Sequence, residues 1–67
     1  MIQVTINGEP KELEKNITIT QMLKALGYDN QWLGVAVNTE FVSKTAHDTT
    51  IIQEGDQIEI LSPIQGG

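Results

Sequence analysis

The chain has 67 residues, enough for one domain with a small hydrophobic core, and it contains no cysteine, which excludes disulfides and thiolate metal sites. Nine acidic residues against four basic ones give a net charge of -5 at pH 7, the opposite balance to that of most nucleic-acid-binding proteins. No apolar stretch approaches the roughly 20 residues that a membrane helix needs, and the amino terminus lacks a signal-peptide pattern. We therefore expect a cytoplasmic protein with neither nucleic acid nor membrane as a partner. The acidic surface suits a protein partner with a basic patch, or serves only to keep a small protein in solution.

The amino-terminal segment predicts a β-hairpin. Residues 2–6 alternate between apolar and polar side chains, as a half-buried strand does. Asn7 and Gly8 come next, and this pair tolerates the two positive φ angles of a type I′ turn. We expect a second strand over about 11–17, polar and lysine-bearing, which suits an exposed sheet edge. Its inward residues would be Leu13 and Ile17.

The next segment changes its apolar period from two to about 3.6 residues, which indicates a helix. The apolar stripe consists of Ile19, Met22, Leu23 and Leu26. Thr18 and Gln21 have the spacing of a capping box at its start. Gly27 follows the stripe, where a left-handed carboxyl-terminal cap favours glycine. We predict a helix over 19–26.

The segment after the helix predicts a second hairpin. Residues 33–37 alternate between larger apolar and small side chains, which indicates a strand. A turn over 38–40 and a short strand at 41–42 fit the residues that follow. We interpret Trp32, in the preceding loop, as a packing residue.

The remaining residues predict an irregular stretch and a last strand. Residues 43–50 are polar, and we expect the only histidine, His47, to be exposed to solvent there. Gly55 and Asp56 signal a turn, and a final strand then ends at Leu61. Its side chains alternate in orientation, with Ile58 and Ile60 on one face and Glu59 and Leu61 on the other.

The order of elements predicts an α+β fold with two layers. One helix with a single apolar stripe covers one face of a mixed sheet of four to five strands. A hairpin followed by a helical crossover into the same sheet is the β-grasp, or ubiquitin-like, arrangement. We expect residues 1–61 to form this domain and residues 62–67 to form a flexible diglycine tail. Pro63 cannot donate to a strand ladder, and a glycine pair loses much backbone freedom on ordering.

The side chains carry little catalytic chemistry. No serine, histidine and carboxylate stand at a recognisable spacing, and no glycine loop suits a phosphate. We interpret two acidic pairs as solvated surface, Glu12 with Glu14 and Glu54 with Asp56. The chain-terminal carboxylate is ionised at neutral pH, and its attack on the α-phosphorus of ATP would give an anhydride that accepts sulfur. Gly66 and Gly67 suit entry into a narrow channel of another protein, although a frayed terminus explains them equally well.

Six segments match one known family in their order and spacing. They are INGE in the first hairpin, TITQML at the start of the helix, VAVN, FV, EGDQIEIL and the terminal GG. On these segments the whole chain resembles the ThiS family, the ubiquitin-like sulfur carriers of thiazole and hence thiamine biosynthesis. The resemblance implies a carrier protein and not an enzyme.

The resemblance also implies the chemistry of the terminus. The carboxylate of Gly67 would be adenylated by an E1-like, ATP-dependent enzyme, converted to a thiocarboxylate, and used to deliver sulfur to thiazole synthase. Gly66 would give the terminus access to both active sites. A donor system such as a cysteine desulfurase would supply the sulfur. ATP and zinc would belong to the adenylating enzyme, so this chain would bind no cofactor and no metal of its own.

A docking surface is expected on the sheet face away from the helix. The alternation of the strands places Leu61 and Ala36 there, with Phe41 as a neighbour. Together with Ile64 in the tail, these are the predicted partner-binding residues. The alternative is a set of scattered exposed apolar residues, which proteins commonly have.

Other functions stay open from the sequence, among them those of carriers of this shape that serve cysteine or methionine synthesis or tRNA thiolation. The small subunit of molybdopterin synthase uses the same diglycine thiocarboxylate, although such subunits tend to be longer. A ubiquitin-like modifier begins with the same adenylate and then joins its terminus to lysines of target proteins. A small binding module would need no chemistry at the terminus at all.

Overall fold

The computed structural model describes residues 1–28 and 34–61. Its elements in chain order are β1 (Ile2–Ile6), β2 (Glu9–Leu13), α1 (Ile19–Ala25), β3 (Gly34–Val37), β4 (Glu40–Val42), a short 3-10 helix (Lys44–Ala46) and β5 (Gln57–Leu61). The strands lie side by side in the order β2-β1-β5-β3-β4. Strands β1 and β5 run parallel, and the other neighbours run antiparallel. Within the described residues, one α-helix and a mixed five-stranded sheet confirm the predicted α+β, β-grasp architecture.

The first hairpin turns where the sequence predicts it. Asn7 and Gly8 have φ angles of 53° and 85°, as a type I′ turn requires. Pairing between the strands begins directly after this turn, with Ile6 opposite Glu9. The two-residue turn therefore starts the second strand earlier than the predicted range of 11–17.

The second strand also ends earlier than predicted. The strand stops at Leu13, and Asn16 has a φ of 61°, which breaks the extended backbone before Ile17. Ile17 is nevertheless buried, as predicted, and its carbonyl accepts a hydrogen bond of 2.9 Å from the Ile52 N–H. The inward position of Ile17 is correct, but a turn and not a strand delivers it to the core.

Helix α1 begins at the predicted cap. The Gln21 N–H donates to Thr18 Oγ1 at 3.1 Å, and the Thr18 N–H donates to Gln21 Oε1 at 2.9 Å, which completes the capping box. Leu26 is the carboxyl-terminal cap, and Gly27 follows with a φ of 89°. The helix thus confirms the prediction to within one residue. No described helix is long and apolar enough to span a membrane.

The core lies between α1 and one face of the sheet. Ile19 and Met22 of the helix are fully buried, as is Val35 at the centre of β3. The other buried hydrophobic residues are Ile2, Val4, Ile6, Leu13, Ile17, Ile52, Ile58 and Ile60. Strand β5 alternates as predicted, with Ile58 and Ile60 buried and Glu59 and Leu61 exposed. The alternation leaves the opposite face of the sheet open.

The second hairpin is close to its predicted form. Strand β3 begins at Gly34 in the described residues, and the predicted positions of Leu33 and of the packing residue Trp32 lie outside them. Asn38 and Thr39 make the turn with positive φ angles of 52° and 72°. Because only these two residues turn the chain, β4 already begins at Glu40.

The prediction for residues 43–50 is wrong in two respects. The segment contains the 3-10 helix, which closes through a 2.8 Å bond from the Ala46 N–H to the Ser43 carbonyl. His47 is 6% exposed and not solvated. Its Nε2 lies 3.2 Å from the Val42 carbonyl oxygen, and its own carbonyl accepts from the Thr20 N–H at 3.2 Å. These bonds tie the segment between β4 and the start of α1, and this burial has no signature in a polar sequence.

Candidate functional site

Strand β5 is the element that leads to the carboxyl terminus. It lies between β1 and β3, so it occupies the centre of the sheet, and Leu61 is its last residue. Gly66, Gly67 and Ile64, three of the predicted site residues, lie outside the described residues, as does the predicted tail over 62–67. Their roles stay predictions. The described part of the candidate site is therefore the end of β5 and the surface around it.

An apolar patch surrounds the end of β5 on the open face of the sheet. Register places Leu61 opposite Gly34 on β3, and Ala36 opposite Phe41 on β4. Leu61 is 59% exposed and Phe41 is 70% exposed, whereas Ala36 is half-buried. The structure thus brings three of the predicted site residues onto one face. We call Gly34, Ala36, Phe41 and Leu61 the outer-face patch.

Gly34 lies between the two exposed side chains of this patch. A Cβ atom at Gly34 would lie 3.6 Å from Phe41 Cε1 and 3.8 Å from Leu61 Cβ. The Phe41 ring and Leu61 therefore flank the same backbone position from neighbouring strands on either side of β3. The exposed side chains of Phe41 and Leu61 are therefore neighbours across Gly34, an arrangement that suits a docking surface.

Acidic and amide side chains share the open face with the patch. Glu59 lies opposite Ala36, and Glu12 lies opposite Gln3, whose Nε2 donates to Glu12 Oε2 at 3.2 Å. Lys11 is the only lysine in the five described strands. It pairs with inward-facing Val4, so it does not lie on the open face. A partner that covers this face meets apolar atoms near the end of β5 and negative charge beside them. The arrangement suits a partner surface with apolar and basic side chains.

Two asparagines join the turns of the hairpins to β5, and sequence analysis assigns them only to turns. The Ile60 N–H donates to Asn7 Oδ1 at 2.8 Å. At the other end of the strand, the Gln57 N–H donates to Asn38 Oδ1 at 2.9 Å. The only sequence signal for these bonds is asparagine at positions that need positive φ, since Asn accepts such backbone and still carries an amide.

Asp56 is not the solvated carboxylate that its sequence neighbourhood predicts. It is 9% exposed, Oδ1 accepts from Asn38 Nδ2 at 3.0 Å, and Oδ2 accepts from the Gln53 N–H at 2.9 Å. Its neighbour Glu54 is exposed, as are Glu12 and Glu14. Asp56 therefore stabilises the turn before β5, and the prediction for this one residue is wrong. Within residues 1–28 and 34–61, no group of three or more histidine or acidic side chains could hold a metal ion.

Comparison with known proteins decides the family. The model of the ThiS family matches residues 4–67. The chain belongs to the ThiS family. The family is one of sulfur carriers of thiamine biosynthesis, so the resemblance found in the sequence is confirmed.

Individual relatives agree with the family over the whole chain. The sulfur carrier protein ThiS of Thermus thermophilus is 32% identical over 65 residues, which are 96% of this chain and 98% of that one. The crystal structure of the thiamine biosynthesis protein ThiS from Geobacter metallireducens superposes with a TM-score of 0.83 at 29% identity. That superposition covers 98% of this chain and 100% of the other. This ThiS family member therefore shares both length and fold with solved and curated ThiS proteins.

A second kind of relative is much longer. A thiazole synthase of Paramagnetospirillum magneticum is 32% identical over 66 residues, which are 98% of this chain and 20% of that protein. The chain thus spans about a fifth of the length of the thiazole synthase that it matches. A segment similar to this ThiS family member is therefore part of a protein named for thiazole synthesis.

Proposed function

We propose that this protein carries sulfur as a thiocarboxylate on the carboxyl group of Gly67 and donates it for thiazole formation in thiamine synthesis. The observation that carries the proposal is the ThiS family match, which extends to residue 67 and so includes the diglycine. The protein acts as a co-substrate of other enzymes and not as an enzyme. We propose the cytoplasm as its setting, since ATP is available there.

The chemistry begins at the terminal carboxylate. A Gly67 oxygen attacks the α-phosphorus of ATP, pyrophosphate leaves, and an acyl adenylate forms. A sulfur nucleophile at the oxidation level of sulfide then attacks the acyl carbon, AMP leaves, and the thiocarboxylate remains. An E1-like adenylating enzyme supplies the ATP site and the zinc. A donor such as a cysteine desulfurase supplies the sulfur as a persulfide, and a thiol reductant brings it to the level of sulfide and is itself oxidised to a disulfide. This chain contributes the reacting carboxyl and the slender Gly66 beside it, and it binds no cofactor of its own.

Thiazole synthase is the proposed acceptor of the sulfur. The support is the thiazole synthase of Paramagnetospirillum magneticum, which includes a segment similar to this chain. Two activities joined in one polypeptide commonly act on the same chemistry. The same support favours thiazole synthase over molybdopterin synthase as the enzyme that receives the sulfur.

The outer-face patch is the proposed docking surface for these partners. Leu61, Ala36 and Phe41 lie together at the end of β5, and Ile64 continues along the chain from there. Burial of a Phe or Leu side chain contributes about 1.5–3 kcal/mol, so two exposed side chains can supply a substantial part of the binding free energy of a transient complex. A partner that holds this patch receives the terminus six residues beyond Leu61.

Mass spectrometry of the intact protein tests the proposal. The full chain is incubated with ATP, sulfide and the adenylating enzyme of its source organism, and we expect a mass increase equal to exchange of one oxygen for sulfur. A chain without Gly66 and Gly67 is the control; it should gain no sulfur, while its thermal midpoint should stay unchanged because the last buried core residue among residues 1–28 and 34–61 is Ile60. A wild-type chain that never changes mass with an active adenylating enzyme would refute the carrier function. Recovery of lysine-linked conjugates would instead favour a protein modifier.

A further inference from the structure

Asn7 continues the ladder between β1 and β5 beyond the end of β1. Strand β1 ends at Ile6, which pairs with Ile58. The Asn7 N–H donates to the Ile58 carbonyl at 2.8 Å, and Asn7 Oδ1 accepts from the Ile60 N–H at 2.8 Å. Asn7 Nδ2 lies 3.5 Å from the Ile60 carbonyl oxygen. The side-chain amide thus takes the place that the peptide group of a further β1 residue would occupy.

The backbone conformation of Asn7 makes this bonding possible. Its φ of 53° turns the chain into the hairpin, so the backbone leaves β5 while the side chain can still reach it. Glycine would adopt this conformation equally well but has no side-chain amide, and most other residues would be strained there. Asparagine combines tolerance of the left-handed region with a donor and an acceptor like those of a peptide group.

Ile60 depends on Asn7 for its bonding on the β1 side. On the other side of β5, Ile60 pairs with Val35 of β3. Without the Asn7 amide, the Ile60 N–H would face the β1 side with no acceptor, because β1 has already ended. Ile60 immediately precedes Leu61, which is both a member of the outer-face patch and the residue from which the chain continues toward Gly67.

We propose that Asn7 is a positioning residue for carrier chemistry. It holds Ile60 in the sheet, so that Leu61 has a fixed position in the outer-face patch at the end of β5. This inference rests on the proposed carrier function. A partner that docks on the patch must bring the Gly67 carboxyl to a reacting phosphorus, and misplacement by about 1 Å lowers rates by up to about a hundredfold. Each residue that frays from the end of β5 must be ordered again in the complex, which lowers the productive fraction by about tenfold.

The second hairpin provides a matched control. Asn38 has a φ of 52°, its N–H donates to the Gln57 carbonyl at 2.7 Å, and its Oδ1 accepts from the Gln57 N–H at 2.9 Å. It therefore binds β5 with the same groups, but at the end remote from Leu61. Asn38 also donates to buried Asp56, so Asn38→Gly should lose at least as much stability as Asn7→Gly. Glycine keeps the positive φ at both turns.

The experiment combines amide hydrogen exchange with adenylation kinetics on full-length chains. With Asn7→Gly we expect the Ile60 amide to exchange about tenfold faster, as loss of one hydrogen bond allows. Carrier-dependent exchange of pyrophosphate into ATP should show kcat lowered about three- to tenfold, with KM within about twofold because Phe41 and Ala36 are unchanged. Asn7→Asp keeps the acceptor for the Ile60 N–H but places a carboxylate oxygen near the Ile60 carbonyl, so it should restore slow amide exchange and kcat only in part. Asn38→Gly should leave kcat unchanged, although its thermal midpoint should fall at least as much as that of Asn7→Gly.

The outcomes separate this inference from the carrier function. Wild-type adenylation together with unchanged kcat in Asn7→Gly would overturn the positioning role and leave the carrier intact. An equal fall of kcat in Asn38→Gly would also overturn it, because general loss of stability would then explain both variants. Unchanged exchange of the Ile60 amide in Asn7→Gly would show that the bond itself is not significant. A wild-type chain that no competent enzyme adenylates would refute the carrier function, and the positioning role with it.

Discussion

Phe41 and Leu61 flank one glycine from strands on either side of it. Phe41 Cε1 would lie 3.6 Å, and Leu61 Cβ 3.8 Å, from a Cβ atom on Gly34 of the strand between them. Two exposed apolar side chains on separate strands thus form one surface next to the end of β5. This relationship gives the proposed docking surface a definite composition, and it can be altered one residue at a time.

Removal of the Phe41 ring should weaken docking and leave the fold intact. Phe41→Ala should raise KM for the adenylating enzyme about tenfold or more, because roughly 2 kcal/mol of apolar burial is lost at the interface. The thermal midpoint should change little, since Phe41 is 70% exposed. The measurement is a carrier titration in the pyrophosphate exchange assay. Ile51→Ala is the control, as Ile51 is also an exposed hydrophobic residue but bridges to Thr18 outside the sheet. An equal rise in KM for both variants would contradict the assignment of the patch.

Two glycines should respond oppositely to alanine. At Gly34 an added Cβ meets only ordinary contacts, and we expect Gly34→Ala to raise the free energy of unfolding by about 0.5 kcal/mol through lower entropy of the unfolded chain. At Gly8 the φ of 85° is a strained conformation for any residue with a Cβ. Gly8→Ala should therefore lower the free energy of unfolding by about 1 kcal/mol, although no atom lies within 4 Å of the added Cβ. Urea unfolding of both variants measures the difference. A loss of stability in Gly34→Ala would show that the patch cannot accommodate even one methyl group.

His47 should stabilise the fold and not act in the chemistry. His47→Ala removes a buried side chain and its contact with the Val42 carbonyl, so the free energy of unfolding should fall by about 2 kcal/mol. His47→Gln keeps a side-chain donor and should lose less. Urea denaturation at a fixed pH provides the comparison. A change below about 0.5 kcal/mol in His47→Ala, the size usual for a surface substitution, would mean that the ring is solvated after all.

Replacement of Asp56 by its amide should destabilise the fold far more than the same replacement of its neighbour Glu54. Asp56→Asn turns one acceptor into an NH₂ group that faces either Asn38 Nδ2 or the Gln53 N–H, both of which are donors. We expect a loss of about 1–3 kcal/mol, as for a buried donor left without an acceptor. Glu54→Gln, at an exposed site, should be within about 0.5 kcal/mol of wild type. Thermal unfolding of the pair measures the contrast, and equal midpoints would show that the bonds to Asp56 contribute nothing.

The elements that the sequence predicts well are those specified by neighbouring residues. Thr18 and Gln21 cap a helix only three positions apart, and Asn7 with Gly8 sets a turn by backbone conformation alone. The open-face positions of Ala36 and Leu61 follow from strand alternation, which is equally local. These features need no knowledge of what the chain packs against.

The errors occur where distant residues decide the outcome. His47 lies beside the start of α1, where its carbonyl accepts from Thr20, and this distant contact is not visible in a polar run of sequence. The bond from Ile60 to Asn7 joins residues 53 positions apart. The early start of the second strand is different in kind, since it follows from the length of the turn and could have been inferred from Asn7 and Gly8.

The central place of β5 bears on how the protein is made. Strands β1 and β3 both pair with β5, so during synthesis the two hairpins of the sheet share no strand pairing until the ribosome has added β5. A chain released early lacks its middle strand and exposes apolar faces, which marks it for chaperones and proteases. A molecule with the complete sheet has therefore been translated to the end of β5. A copy that stops well short of the diglycine lacks β5 and cannot complete the sheet.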